Sequence, residues 1–178
     1  MKRIILAAAL ATCTLAVAAE PEVGKPAPGL GLEATSLDTV FPDAKGKARL
    51  ELKDLKGKNV VLFFYPKALT KGCTIESCGF RDMKEKFKEV NTVLLGISTD
   101  TLKKQQEFTD ANKLNFPLLA DPEKKVTTAY GALGKTGNAL RYTFIIDKEG
   151  KLRKVYKKVS PAAHPQEVFD FVKSELAK

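Results

Sequence analysis

Two hydrophobic rhythms alternate along the chain, and each change of rhythm marks an element. Asn59-Val60-Val61-Leu62-Phe63-Phe64-Tyr65 is a short β-branched and aromatic block of the kind that fills a central strand buried on both faces. Pro66 ends it. Beyond, Phe80, Met83, Phe87 and Val90 recur at helical spacing while Arg81, Asp82, Lys84, Glu85 and Lys86 fall on the other side, so an amphipathic helix follows the strand. The same reading gives a strand at Thr92–Ser98, a helix at Thr101–Lys113, a short strand at Pro117–Ala120 and a helix at Pro122–Tyr130. A hairpin then joins Tyr142–Asp147 to Leu152–Val159 across Lys148-Glu149-Gly150, and a last helix is expected near Pro165–Ala177. No internal repeat or low-complexity linker interrupts the series. Residues 20–178 are expected to form one α/β domain around a central sheet, large enough for a substantial core.

The first residues follow neither rhythm. Met1-Lys2-Arg3 is basic, Ile4 through Ala11 and Leu15 to Ala19 are apolar and then small, and Glu20-Pro21 follows. This is the pattern of a secretory signal peptide over residues 1–19, with cleavage expected after Ala19 or one residue earlier. The run is too short and alanine-rich for a permanent span, which needs about 20 apolar residues, so no stable membrane association is expected. Leu10-Ala11-Thr12-Cys13 is a faint lipoprotein box, weakened by Thr12 and by the short apolar core before Cys13. Loss of the leader takes the cysteine count from three to two, Cys73 and Cys78. A redox pair in an exported chain implies an oxidising compartment, the periplasm for a bacterial source.

The formal net charge is +9. A basic balance can serve nucleic acid or an anionic membrane surface when the cations cluster. Here they are scattered among acidic neighbours, as at Lys84, Lys86, Lys88, Lys103, Lys104, Lys124 and Lys125, which reads as a solvated surface with no nucleic-acid partner. Arg153, Lys154, Lys157 and Lys158 on the last strand look like protection of a sheet edge.

The chemistry concentrates in Tyr65-Pro66-Lys67-Ala68-Leu69-Thr70-Lys71-Gly72-Cys73-Thr74-Ile75-Glu76-Ser77-Cys78, where the buried strand passes into the helix. A helix start presents unpaired N–H groups and about half a positive charge, which stabilises an anion such as a thiolate. Free cysteine titrates near ~8.5, and placement at a helix start or beside a cation can lower that by several units. Thr70 suits the N-cap, which puts Cys73 at the third helical position, although its hydroxyl can instead bond the thiolate or an incoming oxygen. A bare cysteine pair is also consistent with a structural disulfide or two inert core thiols. The strand–Pro–Thr–Gly–Cys context favours the nucleophile. On a continuous helix, residues five apart lie about 140° around the axis and about 7.5 Å along it. Their Cα atoms are then about 8–9 Å apart, beyond the ~7 Å that a disulfide can bridge. If Cys73 and Cys78 join, the first turn must unwind, which suits a reaction cycle better than a permanent staple.

Pro66, Thr70 and Cys73 match the Pro-x-x-x-Thr-x-x-Cys signature of the peroxiredoxins, and Cys78-Gly79-Phe80-Arg81-Asp82 resembles their bacterioferritin-comigratory, or peroxiredoxin Q, branch. Val23-Gly24-Lys25-Pro26-Ala27-Pro28 resembles the family's amino-terminal segment, Phe116 through Asp121 its middle strand, and Arg141 through Asp147 the strand carrying its active-site arginine. The resemblance implies a thioredoxin-like fold with a central mixed sheet flanked by helices, which the order of predicted elements also fits. It implies that Cys73 attacks hydrogen peroxide or an organic hydroperoxide as a thiolate and becomes a sulfenic acid. Cys78 would resolve this as an intramolecular disulfide, and thioredoxin or a thioredoxin-like protein would restore both thiols. No metal, flavin or haem is needed. A resolving thiol in the same helix needs no partner subunit, so a monomer is expected.

The physical roles follow from the side chains. Arg141 offers a fixed cation to the thiolate and to charge developing on the peroxide oxygens. Thr70 offers a hydroxyl, and Pro66 contributes no N–H and would shield the sulfur. Glu76 either orients the arginine or is a solvated helix carboxylate. Three positions depart from the family pattern: Ala68-Leu69 replaces the usual acidic pair, and Lys71 replaces a proline before Gly72. They alter the pocket rim, where peroxide preference and reductant docking are set. The segment from Gly29 to Leu55 is also longer than usual, with Phe41 through Lys47 reading as an extra turn.

A reading from another class is an exported copper-delivery protein of the same fold, with Cys73, Cys78 and His164, the single histidine, as soft-metal ligands. Such carriers use a Cys-x-x-x-Cys spacing, one residue shorter than here, and leave Thr70 and Arg141 without a role.

Overall fold

The computed structural model describes residues 20–42 and 47–177; the expected leader, Cys13 and residues 43–46 of the expected extra turn lie outside them. Among the described residues the strands are β1 (Leu32–Ala34), β2 (Arg49–Leu50), β3 (Asn59–Phe64), β4 (Thr92–Ser98), β5 (Leu118–Ala120), β6 (Thr143–Ile146) and β7 (Leu152–Tyr156). The helices are α1 (Lys71–Glu89), α2 (Leu102–Asn112), α3 (Lys125–Ala129) and α4 (His164–Glu175). All seven strands join one mixed sheet in the order β2-β1-β5-β4-β3-β6-β7. The β3–β4 and β4–β5 pairs are parallel, and the remaining pairs are antiparallel.

All six residues of β3 are buried, as its unbroken apolar run requires of a strand covered on both faces. Val61, Phe63 and the following Tyr65 point to one side, against Phe80 and Phe87 of α1, Phe108 of α2, and Val168 and Val172 of α4. The Phe63 and Phe80 rings stack with centroids 4.6 Å apart. Val60, Leu62 and Phe64 point to the other side, against Leu32, Leu50, Leu55, Tyr130 and Phe144. Each fully buried aromatic side chain contributes about 1.5–3 kcal/mol of transfer free energy. Gly79 lets α4 lie directly on α1, because a Cβ there would come within 2.7 Å of Pro165 Cγ.

Several elements differ from the sequence reading. The strands β1 and β2 have no counterpart in it, since runs of three and two residues are too short to display a period. Pro122 does not start α3, which is shorter than the expected Pro122–Tyr130 helix. Instead Asp121 Oδ2 accepts from both the N–H and the hydroxyl of Thr127, and Lys124 takes a left-handed φ of 61° before the helix begins. The last strand stops at Tyr156, so Arg153 and Lys154 lie on the sheet edge but Lys157 and Lys158 lie beyond it.

The register brings three chain segments to one place. Parallel β3 and β4 end on the same side of the sheet, and antiparallel β6 begins there, with Phe63 opposite Thr143 and the Phe64 N–H donating to Tyr142 O at 2.7 Å. The turn into α1, the turn into α2 and Arg141 therefore converge. Such strand ends facing a helix start are where open α/β sheets collect their chemistry.

Candidate active site

Thr70 is the N-cap of α1, in extended conformation with φ −91° and ψ 150°. The Thr74 N–H makes the first intrahelical bond, to Thr70 O at 2.9 Å. The N–H groups of Lys71, Gly72 and Cys73 are those of an open helix start, with Cys73 third in the helix as the spacing predicts. The Thr70 hydroxyl does not cap. It donates to Lys67 O at 2.9 Å, folding the short loop after Pro66 on itself. Within that loop Leu69 holds a left-handed φ of 64°.

Cys73 is completely buried, and Arg141 Nη2 donates to its Sγ at 3.3 Å. A guanidinium this close, together with the helix dipole, stabilises an anionic sulfur. The other arm of the guanidinium is held by Glu76, Nη1 donating to Oε2. Gly72 makes room for this arrangement, because a Cβ there would sit 3.3 Å from Arg141 Nη2. Pro66 lies half-buried in the bend that carries the chain from β3 toward the helix.

Glu76 is no solvated carboxylate. Its side chain is fully enclosed, and burial pushes its carboxyl up to about 7 against the pull of Arg141. Its other oxygen, Oε1, is buried without a hydrogen-bond partner. A sequence signal for this burial exists: Glu76 lies in phase with Phe80, Met83 and Phe87, on the stripe that faces the core.

Both thiols are free. Cys78 is half-buried, and its Sγ faces Asn112 Oδ1, the last residue of α2, at 4.0 Å. It lies on the same unbroken helix as Cys73 but is turned away from Arg141. Sequence reasoning singled out neither Asn112 nor Asp100, whose carboxylate accepts the Ala68 N–H at 2.8 Å.

The copper reading fails on geometry. His164 is completely buried at the start of α4, with Nε2 2.8 Å from Thr143 Oγ1 and Nδ1 3.1 Å from Glu167 Oε2. Its ring packs edge-on against Phe80 and Tyr156, with centroids 6.0 and 5.1 Å away. Both ring nitrogens are engaged, and among the described residues no group of three His, Cys, Asp or Glu side chains is placed to hold a metal ion. No helix among them is long and apolar enough to cross a membrane.

The model of the AhpC/TSA family matches residues 23–155. The chain is 39% identical over 164 residues to Peroxiredoxin Bcp of Bacillus subtilis, covering 88% of this chain and 98% of that one. In three dimensions it is similar to peroxidoxin BcpB of Mycobacterium tuberculosis, with a TM-score of 0.75, 31% identity, and 88% and 99% of the two chains covered. It is also similar to the bacterioferritin comigratory protein of Xanthomonas campestris, with a TM-score of 0.74, 25% identity, and 88% and 100% covered. Family model, relatives and fold agree with what the surroundings of Cys73 imply, and the chain belongs to the AhpC/TSA family as a peroxiredoxin, a thiol-dependent peroxidase.

Proposed function

We propose that Cys73 is the peroxidatic thiol and Cys78 the resolving one, and that the chain reduces hydrogen peroxide and organic hydroperoxides through a disulfide between them. The observation that carries this reading is the 3.3 Å approach of Arg141 Nη2 to Cys73 Sγ at the start of α1. The thiolate attacks one peroxide oxygen, forming an S–O bond as the O–O bond breaks. The departing alkoxide or hydroxide takes up a proton and leaves as alcohol or water. Arg141 faces the negative charge that develops on these oxygens. Thr70 has committed its own proton to Lys67 O, so its oxygen serves as the acceptor for the peroxide hydroxyl. Pro66, with no N–H, screens the sulfur from water.

Cys78 then attacks the sulfenic sulfur as a thiolate; the S–S bond forms and hydroxide leaves, to be protonated to water. Both thiols lie on one helix, so its start unwinds before they meet. The disulfide protects Cys73 from over-oxidation to sulfinic acid. A dithiol reductant of the thioredoxin type restores both thiols by exchange. Because one chain holds both cysteines, a monomer suffices as the working unit. The alkyl peroxide reduction activity of the Xanthomonas campestris relative supports organic substrates. Leu69, 43% exposed beside Thr70, gives the mouth of the site an apolar rim suited to an alkyl chain. The leader read at residues 1–19 supports export to the periplasm.

The test is a free-thiol count by mass spectrometry on the reduced protein before and after one equivalent of hydrogen peroxide, beside Cys73→Ser and Cys78→Ser. Rapid loss of both thiols in the parent, a sulfenic acid in Cys78→Ser and no fast reaction in Cys73→Ser are expected. A parent whose thiols survive as long as ordinary free cysteines would overturn the assignment.

A further inference from the structure

We infer that Asp100 is a positioning residue that latches the Pro66–Thr70 loop onto the body of the domain, and that release of this latch governs how readily the start of α1 opens for the Cys73–Cys78 disulfide. The inference rests on the assignment of those two cysteines. Asp100 touches neither thiol; it acts through backbone.

Its Oδ2 accepts the Ala68 N–H at 2.8 Å and the Ser98 hydroxyl at 2.8 Å. The Ser98 oxygen in turn accepts from Asp100 N at 3.2 Å and from Gln105 Nε2 at 2.9 Å. Gln105 Nε2 also reaches Leu119 O at 2.9 Å, and its Oε1 accepts the Tyr65 hydroxyl. Tyr65, Ser98 and Gln105 are all completely buried. A continuous line of hydrogen bonds therefore runs from β5, through α2 and the end of β4, to the one loop that must move. Buried polar lines of this kind are rigid when every member is paired, as here.

The loop needs such a tether. Leu69 holds a left-handed backbone that a leucine does not adopt without support, and the anchored Ala68 N–H immediately precedes it. The Thr70–Lys67 bond lies inside the loop and would travel with it. The bond to Asp100 connects the loop to a different element, and its carboxylate acceptor makes it the stronger kind. With the latch closed, α1 keeps its first turn and Cys73 stays against Arg141, ready for peroxide. With it open, the turn unwinds and the sulfenic acid becomes available to Cys78. One side chain thus sets two rates in opposite directions.

The experiment compares the parent with Asp100→Ala and Asp100→Asn by rapid mixing with peroxide. It records Cys73 oxidation, disulfide closure and sulfinic acid yield, with hydrogen exchange of the peptide covering residues 66–74. In Asp100→Ala, oxidation slows by about tenfold, the size expected for loss of one charge-assisted hydrogen bond. Disulfide closure quickens, sulfinic acid yield falls, and exchange of the peptide accelerates. Asp100→Asn retains an acceptor oxygen and stays within about threefold of the parent. Ser98→Ala removes the support of the carboxylate but not the carboxylate, gives the same opposed changes at smaller amplitude, and serves if Asp100→Ala does not fold. Both rates unchanged, or both falling together with the melting temperature, would overturn the latch. If the parent itself does not lose its thiols to peroxide, the assignment of the cysteines fails instead.

Discussion

Glu76 and Arg141, 65 positions apart in sequence, form an ion pair in which the carboxylate is wholly enclosed and the guanidinium is one-fifth exposed. The pair aims the arginine, because one nitrogen goes to Glu76 and the other to Cys73 Sγ. Replacing Arg141 by Ala should slow Cys73 oxidation by roughly 10²-fold, the usual cost of removing a donor aimed at developing negative charge. Arg141→Lys should recover little of this, since an ammonium lacks the planar fork that serves carboxylate and sulfur together. Stopped-flow oxidation decides the matter; an unchanged rate would remove Arg141 from the mechanism.

Enclosure of Glu76 also makes the fold sensitive to pH. Burial raises its carboxyl from 4.5 to about 7, with Arg141 pulling the other way. A group whose folded-state value lies above its unfolded one contributes stability that is full below the unfolded value and lost as pH rises through the folded value. The Glu76 contribution should therefore decline between about pH 4.5 and 7, by at most about 1.4 kcal/mol per pH unit. Glu76→Gln should flatten that decline in urea unfolding, and an identical slope in the variant would show that Glu76 does not titrate there.

His164 works in the opposite sense. Burial lowers its basicity from the usual 6.5, opposed by the hydrogen bond and charge of Glu167 and aided by the charge of Arg141. A base depressed by folding contributes stability that is present above its unfolded value and lost as pH falls through the folded one. The acid side of the stability profile, below about 6.5, should thus carry a His164 component. His164→Gln keeps a partner for Thr143 and should reduce the loss on acidification; an acid limb as steep as the parent's would count against it.

Gly72 offers a way to move the guanidinium without touching it. A Cβ at this position would stand 3.3 Å from Arg141 Nη2, close enough to displace it by a few tenths of an ångström. Alanine is the better helix former by about 1 kcal/mol. Gly72→Ala should therefore melt at the same temperature or higher while oxidising several-fold more slowly. Calorimetry beside stopped-flow oxidation tests this, and an unchanged rate would mean that Arg141 is not placed by the bare helix edge.

The central strand, the amphipathic α1 and the position of Cys73 at its third residue are legible from local pattern alone, because burial of β3 and the spacing of Phe80 and Phe87 act over short distances. Arg141 is not, since no local rhythm links it to Cys73. Only the family resemblance singled it out, and the pairing of β6 with β3 is what brings it there. Glu76 shows how chemistry can mislead periodicity: its phase marks the core, while its charge argues for water. The residue type of His164 suggests a metal ligand, yet its surroundings of Phe80, Tyr156 and Thr143 make it a core residue. The bonds that Asp121 accepts from Thr127 have no sequence signal, because they depend on a turn that Pro122 disguises as a helix start.

The convergence of strand ends at Cys73 also bears on the life of the chain before it is folded. The donor to Cys73 Sγ comes from 68 positions downstream, and Arg141 reaches it only after β6 has paired with β3. Closing a loop of this length costs entropy before its contacts repay it. A nascent or unravelled copy therefore lacks the guanidinium at its sulfur and carries thiols of ordinary reactivity. On the assignment proposed for Cys73, fast reaction with peroxide is acquired together with the finished sheet, so rapid oxidation of this sulfur would report that the molecule bearing it has completed its fold.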